Sequence, residues 1–479
     1  MVKLFLCLSL FNHYYYLCCT ISVYINISHS FSLMIRQLVV KGNRLLSNAL
    51  LLHVAFLTLA FSALSFQQAN AQRTKEEIKA NPNLAANNYR DYPVPTAKLT
   101  PAPKGYEPFY ISHYGRHGSR WQIGKNAFNK PYYTLSRADS LGKLTARGKE
   151  VFALVKALRQ QGMSREGELT QLGAEQHRGI AKRMFERFPQ VFAGETHVDA
   201  RSTVVIRCIL SMENELLQLA ALNPKITFTS DASYHDMYYM NDNDTSPYAP
   251  MIRTAAAEDS LEAFYKRHGD APHLMKAIFN DADYAKGLNE RSVARQLFNS
   301  AIALQNTELR HQFRPIWDIF SADELYDQWL LTAAYWYTYA GPNKLNDGAG
   351  MYTQLNLVKN ILETADSCVA LPHPGATLRF AHESDVLPLV CLLNLNGYGN
   401  PRSSLENLDD ENWDIYNVFP MACNVQFVFY KNAKKDVLVK VLLNENEATL
   451  PIKAYTGPYY KWKDVRAYLV KILGKRIRQ

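Results

Sequence analysis

Strand and helix signals alternate from residue 108 to about 222, give way to helix alone, and return at 376. The first strand signal, "PFYIS" (108–112), runs directly into "HYGRHGSR" (113–120). Helical periodicity follows in 144–162 and 169–189, each with Thr near its start and Gly or Pro at its end. "THVDA" (196–200) reads as a short strand feeding a helix whose N-cap is Ser202 or Thr203. This alternation predicts an α/β fold with a mostly parallel sheet flanked by helices. Between 223 and 360 the strands disappear: 274–280, 291–306 and 321–341 are helical, separated by polar stretches such as "MNDNDTSP", which predicts an all-helical insertion. "ATLRFA" (376–381) restores the sheet, and 424–431 and 436–444, joined by "NAKK", predict a hairpin. The α/β domain is then 72–222 with 361–479, and the helical cap is 223–360.

Residues 1–71 contain no Asp or Glu and are read as a targeting segment rather than as fold. Arg36, Lys41 and Arg44 precede the apolar run "NALLLHVAFLTLAFSAL", and "ANA" ending at Ala71 offers small residues for cleavage before Gln72, the pattern of a secretory signal. The expectation is export to a periplasm or the medium, with no membrane anchor left after cleavage; the alternative is an N-terminal anchor. Residues 1–33 fit neither reading, which makes Met34 a candidate start. The aromatic run 329–340 is too short for a membrane span, and acidic residues lie in its own helix. Residues 72–104 read as an extended arm wrapping the domain.

The part after residue 71 holds 49 of the 53 basic residues and all 44 acidic ones, a mild excess of positive charge. That balance favours small anionic molecules and is too weak and dispersed for nucleic acid. Four cysteines remain, Cys208, Cys368, Cys391 and Cys423, compatible with free thiols or with disulfides in three pairings, and without zinc-site spacing. Nothing in the sequence signals an oligomeric state.

Two strands end in histidine-bearing loops: one before "HYGRHGSR", the other before "HESD" (382–385). Loops at the carboxyl ends of strands in an open α/β sheet share one crevice, so these segments can meet despite their separation. The crevice would hold Arg116, His117, Arg120, His382, Glu383 and Arg207, a cationic set with one carboxyl. Permanently charged guanidinium groups disfavour imidazolium, so His117 is expected to stay neutral and nucleophilic in mildly acidic solution. The arginines would bind phosphate oxygens, and Gly115 and Gly118 would let the backbone approach the anion. Glu383 would protonate the departing ester oxygen and then activate water against a phosphohistidine. This chemistry requires no metal and no cofactor.

The segments "RHGSR" (116–120), 167–189, "RSTVVIRCILS" (201–211) and "FAHESD" (380–385) resemble the histidine phosphatase superfamily, in its acid phosphatase and phytase branch. The resemblance spans nearly all of the chain after residue 71. It implies a Rossmann-like α/β domain with a helical cap, a phosphohistidine on His117, phosphate binding by Arg116, Arg120, Arg207 and His382, and a proton donor after His382. Within the branch the chain is most similar to multiple inositol polyphosphate phosphatases. It departs from the branch in having Trp121 and Gln122 after the first motif. It also carries Glu383 directly after His382 where those phosphatases have H-A-E, with Asp385 the reserve donor. The expected activity is that of an exported phosphomonoesterase acting on small phosphorylated molecules, inositol hexakisphosphate first among them. A sugar phosphatase of glucose-1-phosphatase type is the alternative enzyme, and a phosphate-binding protein that has lost hydrolysis is the alternative outside enzymes. Lys125, Lys130 and Arg137 are candidates to meet further phosphates, or are simply a solvated face.

Overall fold

In the computed structural model, residues 73–241 and 245–474 are described; the expected signal segment and Met34 lie outside them. Counting α-helices of eight residues or more, the order begins α1 (Arg73–Ala80), a 3-10 strap (Pro82–Tyr89), β1 (Glu107–Arg116), α2 (Asn126–Ser140), α3 (Ala146–Gly162) and α4 (Gln171–Arg187). It continues through β2 (Thr196–Ser202), α5 (Ile206–Leu222), β3 (Ile226–Asp231), α6 (Ala255–Tyr265), α7 (Glu290–Gln305), α8 (Ala322–Ala340) and α9 (Leu355–Val369). It closes with β4 (Gly375–Ala381), α10 (Glu383–Leu392), β5 (Asn424–Lys431), β6 (Val437–Leu443), β7 (Asn446–Ala448), β8 (Tyr459–Lys461) and α11 (Trp462–Leu473).

All eight strands form one sheet in the order β3-β2-β4-β1-β5-β6-β7, with β8 also on β6. The run β3-β2-β4-β1 is parallel. β5 pairs antiparallel with β1 and opens the predicted hairpin with β6. Side chains of β1 alternate between the two faces. Tyr110 and Tyr114 enter one apolar core, and Ile111 joins Val198, Leu378 and Phe380 in a second. Every residue of β4 is buried, as a central strand of a parallel sheet covered on both faces requires.

Helix starts follow the sequence where a side chain is free to cap. Thr145 and Thr170 each accept from the N–H three residues on, at α3 and α4, and Ser321 with Glu324 makes a capping box at α8. At α5 the expectation fails: Val205 occupies the N-cap position without a side-chain bond. Thr203 Oγ1 lies instead 3.3 Å from His382 Nε2. Two further corrections concern organisation. Residues 226–231, expected to lie in an all-helical insertion, pair parallel with β2, so the stretch 223–360 is not all helical and contributes the sheet's edge strand. The lead-in is not simply extended: it starts with α1 and the 3-10 strap before becoming an arm. All four described cysteines are free thiols. Among the described residues no helix is long and apolar enough to cross a membrane.

Candidate active site

The parallel register of β1 against β4 aligns Arg116 with Ala381, so the next residues, His117 and His382, emerge side by side at the carboxyl edge of the sheet. Their rings lie 5.6 Å apart. β2 flanks β4 on its other side, and the chain leaving β2 places Arg207 in the first turn of α5, with Nη2 3.5 Å from His382 Nδ1. Strand order thus gathers residues from three distant segments. β1 extends through Arg116, four residues further than its apolar signal, so that guanidinium is held by a strand rather than a loop.

The backbone of His117 is fixed on both sides: its N–H donates to Ala381 and its carbonyl accepts from Ala422. Its Nδ1 stands 2.8 Å from the Gly118 carbonyl, which only accepts, so Nδ1 carries the proton and Nε2 is bare. Burial lowers the ring's affinity for a second proton well below the ordinary histidine value, and Arg116, Arg207, Arg120 and His382 lower it further. Nε2 is buried without a hydrogen-bond partner and faces Glu383 Oε2 at 3.7 Å.

Glu383 is the first residue of α10. Its Oε1 lies 2.9 Å from Arg116 Nη2 and 3.9 Å from Arg120 Nη2. Burial by itself would raise its pKa, but Arg116 and Arg120, its own backbone N–H and His382 outweigh that and hold the carboxyl down at about 2. Arg116 is wholly buried, with Nη1 donating to the carbonyls of Asn88 and Phe419. Arg120 donates to the Trp121 carbonyl and to the Tyr89 hydroxyl, and lies over the Tyr89 ring. The Nε atoms of Arg116, Arg120 and Arg207 are buried with no hydrogen-bond partner, as is His117 Nε2, and all three guanidinium groups are close enough to His117 to oppose its protonation. Such a set matches a tetrahedral oxyanion with an electrophilic centre.

The candidates Arg116, His117, Arg120, Arg207, His382 and Glu383 therefore come together. Asp385 lies in the same first turn of α10 but is held by Asn241 Nδ2 at 3.2 Å. Lys125, Lys130 and Arg137 are exposed at and along α2.

Sequence reasoning missed the groups that hold the loop. Ser211 on α5 accepts from the Gly118 N–H at 3.1 Å, and Gln176 on α4 accepts from the Ser119 N–H at 2.8 Å. The Ser119 hydroxyl donates to Asn306, just beyond α7, at 2.7 Å, and Asn306 in turn donates to the Tyr89 carbonyl. Polar positions buried on otherwise amphipathic helices are the signal that would have singled out Gln176 and Ser211.

The sequence matches the profile of the histidine phosphatase superfamily (branch 2) over residues 115–444. The chain belongs to that superfamily. Phosphomonoester hydrolysis is the reaction class that this membership brings, and the matched range begins at the end of β1 and includes β4, the two strands that end in the site histidines. Among solved structures, this histidine phosphatase is similar to the Bifidobacterium longum multiple inositol polyphosphate phosphatase in complex with phosphate. There TM-score is 0.66 at 19% identity, over 80% of this chain and 97% of that one. The same protein in complex with inositol hexasulfate gives TM-score 0.62 over the same shares at 19% identity. The phytase from D. castellii gives TM-score 0.56 at 13% identity, over 82% of this chain and 85% of that one. These likenesses share the fold. No curated protein sequence matches the chain significantly.

Proposed function

We propose that this histidine phosphatase is an exported phosphomonoesterase that works through a phosphohistidine on His117, with inositol polyphosphates as its substrate class. The observation that carries the mechanism is the bare, neutral Nε2 of His117, which three arginines with unpartnered buried Nε donors keep from protonation and which one carboxyl faces. In this reading Arg116, Arg120, Arg207 and His382 hold the non-bridging phosphoryl oxygens. His117 Nε2 attacks phosphorus while Nδ1–H stays on the Gly118 carbonyl, so the nucleophile's orientation does not change during the step.

Proton delivery follows from the charge balance. Free Glu383 is a carboxylate at pH 5, because its pKa lies at about 2. A phosphomonoester is mostly a monoanion at that pH and brings one proton with it. Once the dianionic phosphoryl group engages the arginines, their hold on Glu383 weakens and the proton moves onto the carboxyl, ready for the leaving oxygen. Glu383, again a carboxylate, then takes a proton from the water that cleaves the phosphohistidine. The inositol polyphosphate assignment is supported by the similarity to proteins of that description and by the cationic site. Export is supported by residues 34–71, and N-terminal sequencing of the secreted or periplasmic protein should return Gln72.

The test is phosphate release at about pH 5 by the chain from Gln72 onward, with EDTA present. The substrates are para-nitrophenyl phosphate and inositol hexakisphosphate, each also offered to His117→Ala. Activity on both that is lost in the variant and indifferent to EDTA is the expected result. Turnover of the aryl ester with none of inositol hexakisphosphate overturns the substrate and directs attention to sugar phosphates. A folded protein that binds phosphate and hydrolyses neither is a binding protein.

A further inference from the structure

The 3-10 strap precedes the family match, yet it forms one wall of the site. Asn87 sits at φ 49, ψ −118, a conformation unfavourable for a residue with a side chain, and its Nδ2 donates to the buried Trp329 carbonyl of α8 at 2.9 Å. This bend delivers the next two residues to the cationic cluster. The Asn88 carbonyl accepts from Arg116 Nη1, and Asn88 Nδ2 donates to Glu383 Oε1 at 3.3 Å; the residue is 3% exposed. The Tyr89 hydroxyl accepts from Arg120, and its carbonyl accepts from Asn306 at 2.7 Å and Gln305 at 3.2 Å. A segment that merely covered the surface would need none of these buried polar contacts.

Resting on the reading of Glu383 as the acid, we propose that Asn88 is a positioning residue that decides which oxygen of Glu383 carries the proton. Oε1 already accepts from the Asn88 amide, is ion-paired with the Arg116 guanidinium at 2.9 Å and lies near that of Arg120, and a proton there would displace the amide and weaken both pairings. Oε2 is the carboxyl oxygen paired with His117 Nε2, at 3.7 Å, and so lies on the side of the reacting centre. With Oε1 reserved as an acceptor, the proton resides on Oε2. As the Nε2–P bond forms and the P–O bond breaks, the bonding pair stays on the ester oxygen, which takes that proton and leaves Glu383 ionised. In the second step water gives a proton to Oε2, its oxygen bonds to phosphorus, and the N–P bond breaks.

The role is distinguished from simple support by its dependence on the leaving group. Para-nitrophenolate departs with little protonation, whereas the alkoxide of glycerol 2-phosphate requires it. The measurement is the ratio of kcat/KM for glycerol 2-phosphate to that for para-nitrophenyl phosphate. It is made at pH 5 in the wild type, Asn88→Ala, Asn88→Asp, Glu383→Gln and the Asn88→Ala/Glu383→Gln double variant. Asn88→Asp keeps the side-chain shape and the backbone contacts to Arg116, so it guards against collapse of the strap. Asn88→Ala and Asn88→Asp are expected to lower the ratio about tenfold, and Glu383→Gln about a hundredfold. Asn88→Ala should lower the ratio no further once Glu383 is replaced. An equal loss on both substrates in both Asn88 variants, or an effect on the ratio that persists without the Glu383 carboxyl, overturns the proposal while leaving the phosphatase reading intact. A ratio unchanged in Glu383→Gln overturns both.

Discussion

His117 stays neutral because burial and three arginines oppose a second proton, and the same physics gives this protein an acid sensitivity that can be assigned to single residues. His113, four residues earlier on β1, is buried with neither ring nitrogen hydrogen-bonded. Burial first, then His177 and Arg379, push its pKa down to about 3. Its folded-state pKa is below the unfolded value of about 6.5, so the unfolded chain binds the proton first. The contribution to stability is complete above about pH 6.5 and is lost as pH falls toward 3. The slope is about 1.4 kcal/mol per pH unit, or about 2 kcal/mol between pH 7 and pH 5. Urea unfolding of His113→Leu should show that much less acid loss than the wild type, and an unchanged pH profile would refute the assignment. Glu383 adds a second window: its pKa is depressed from 4.5 to about 2, so its contribution is present above 4.5 and lost through that lower interval.

At the scale of elements, the motif loop crosses the start of α4 at a point where neither chain has room for a side chain. A Cβ on Gly118 would run into the Gly173 carbonyl and come within 2.6 Å of its Cα, and a Cβ on Gly173 would meet the Ser119 carbonyl in return. Gly173→Ala should therefore separate helix from loop, costing about 1–3 kcal/mol in stability. Because it also misplaces His117 and Arg120, kcat should fall at least a hundredfold, as measured on the aryl ester. Ser211→Ala is the gentler test of the same support. It strips the acceptor from the buried Gly118 N–H, for an expected loss of about 1–3 kcal/mol in thermal unfolding. Helix existence was legible in apolar periodicity and in Thr145 and Thr170, because a cap is settled within one turn. β3 was not, since "ITFTSD" at the sheet edge buries little beyond Ile226 and so carries almost no apolar alternation.

Across the whole molecule, the cationic site should make stability depend on anion concentration. On the proposed reading inorganic phosphate is expected to bind the folded protein and not the unfolded chain, so at a hundred times its Kd it should add about 2.7 kcal/mol and raise Tm accordingly. Differential scanning calorimetry with phosphate and with equal ionic strength of chloride separates the specific effect from screening. In Arg207→Ala the phosphate shift should shrink, and a shift of the same size would remove Arg207 from the site. This measurement reads the anion site without requiring turnover.

The residue types of the site, their place at strand ends and the α/β class were determined by local sequence. Strand patterning and the loop residues that follow lie within a few positions of each other, and guanidinium beside imidazole has the same electrostatic meaning wherever the fold sets it. What only the tertiary structure decided is which remote side chains complete the site. β4 inserts between β2 and β1, which brings Arg207 to His382 and His382 to His117. Asn88 reaches Glu383 across 295 positions, and Gln176 reaches Ser119 across 57. Each of these is a single polar side chain whose role depends on the carboxylate or N–H it meets. Before the sheet order is known, a buried asparagine in a lead-in and a glutamine on a helix have no partner to reveal them.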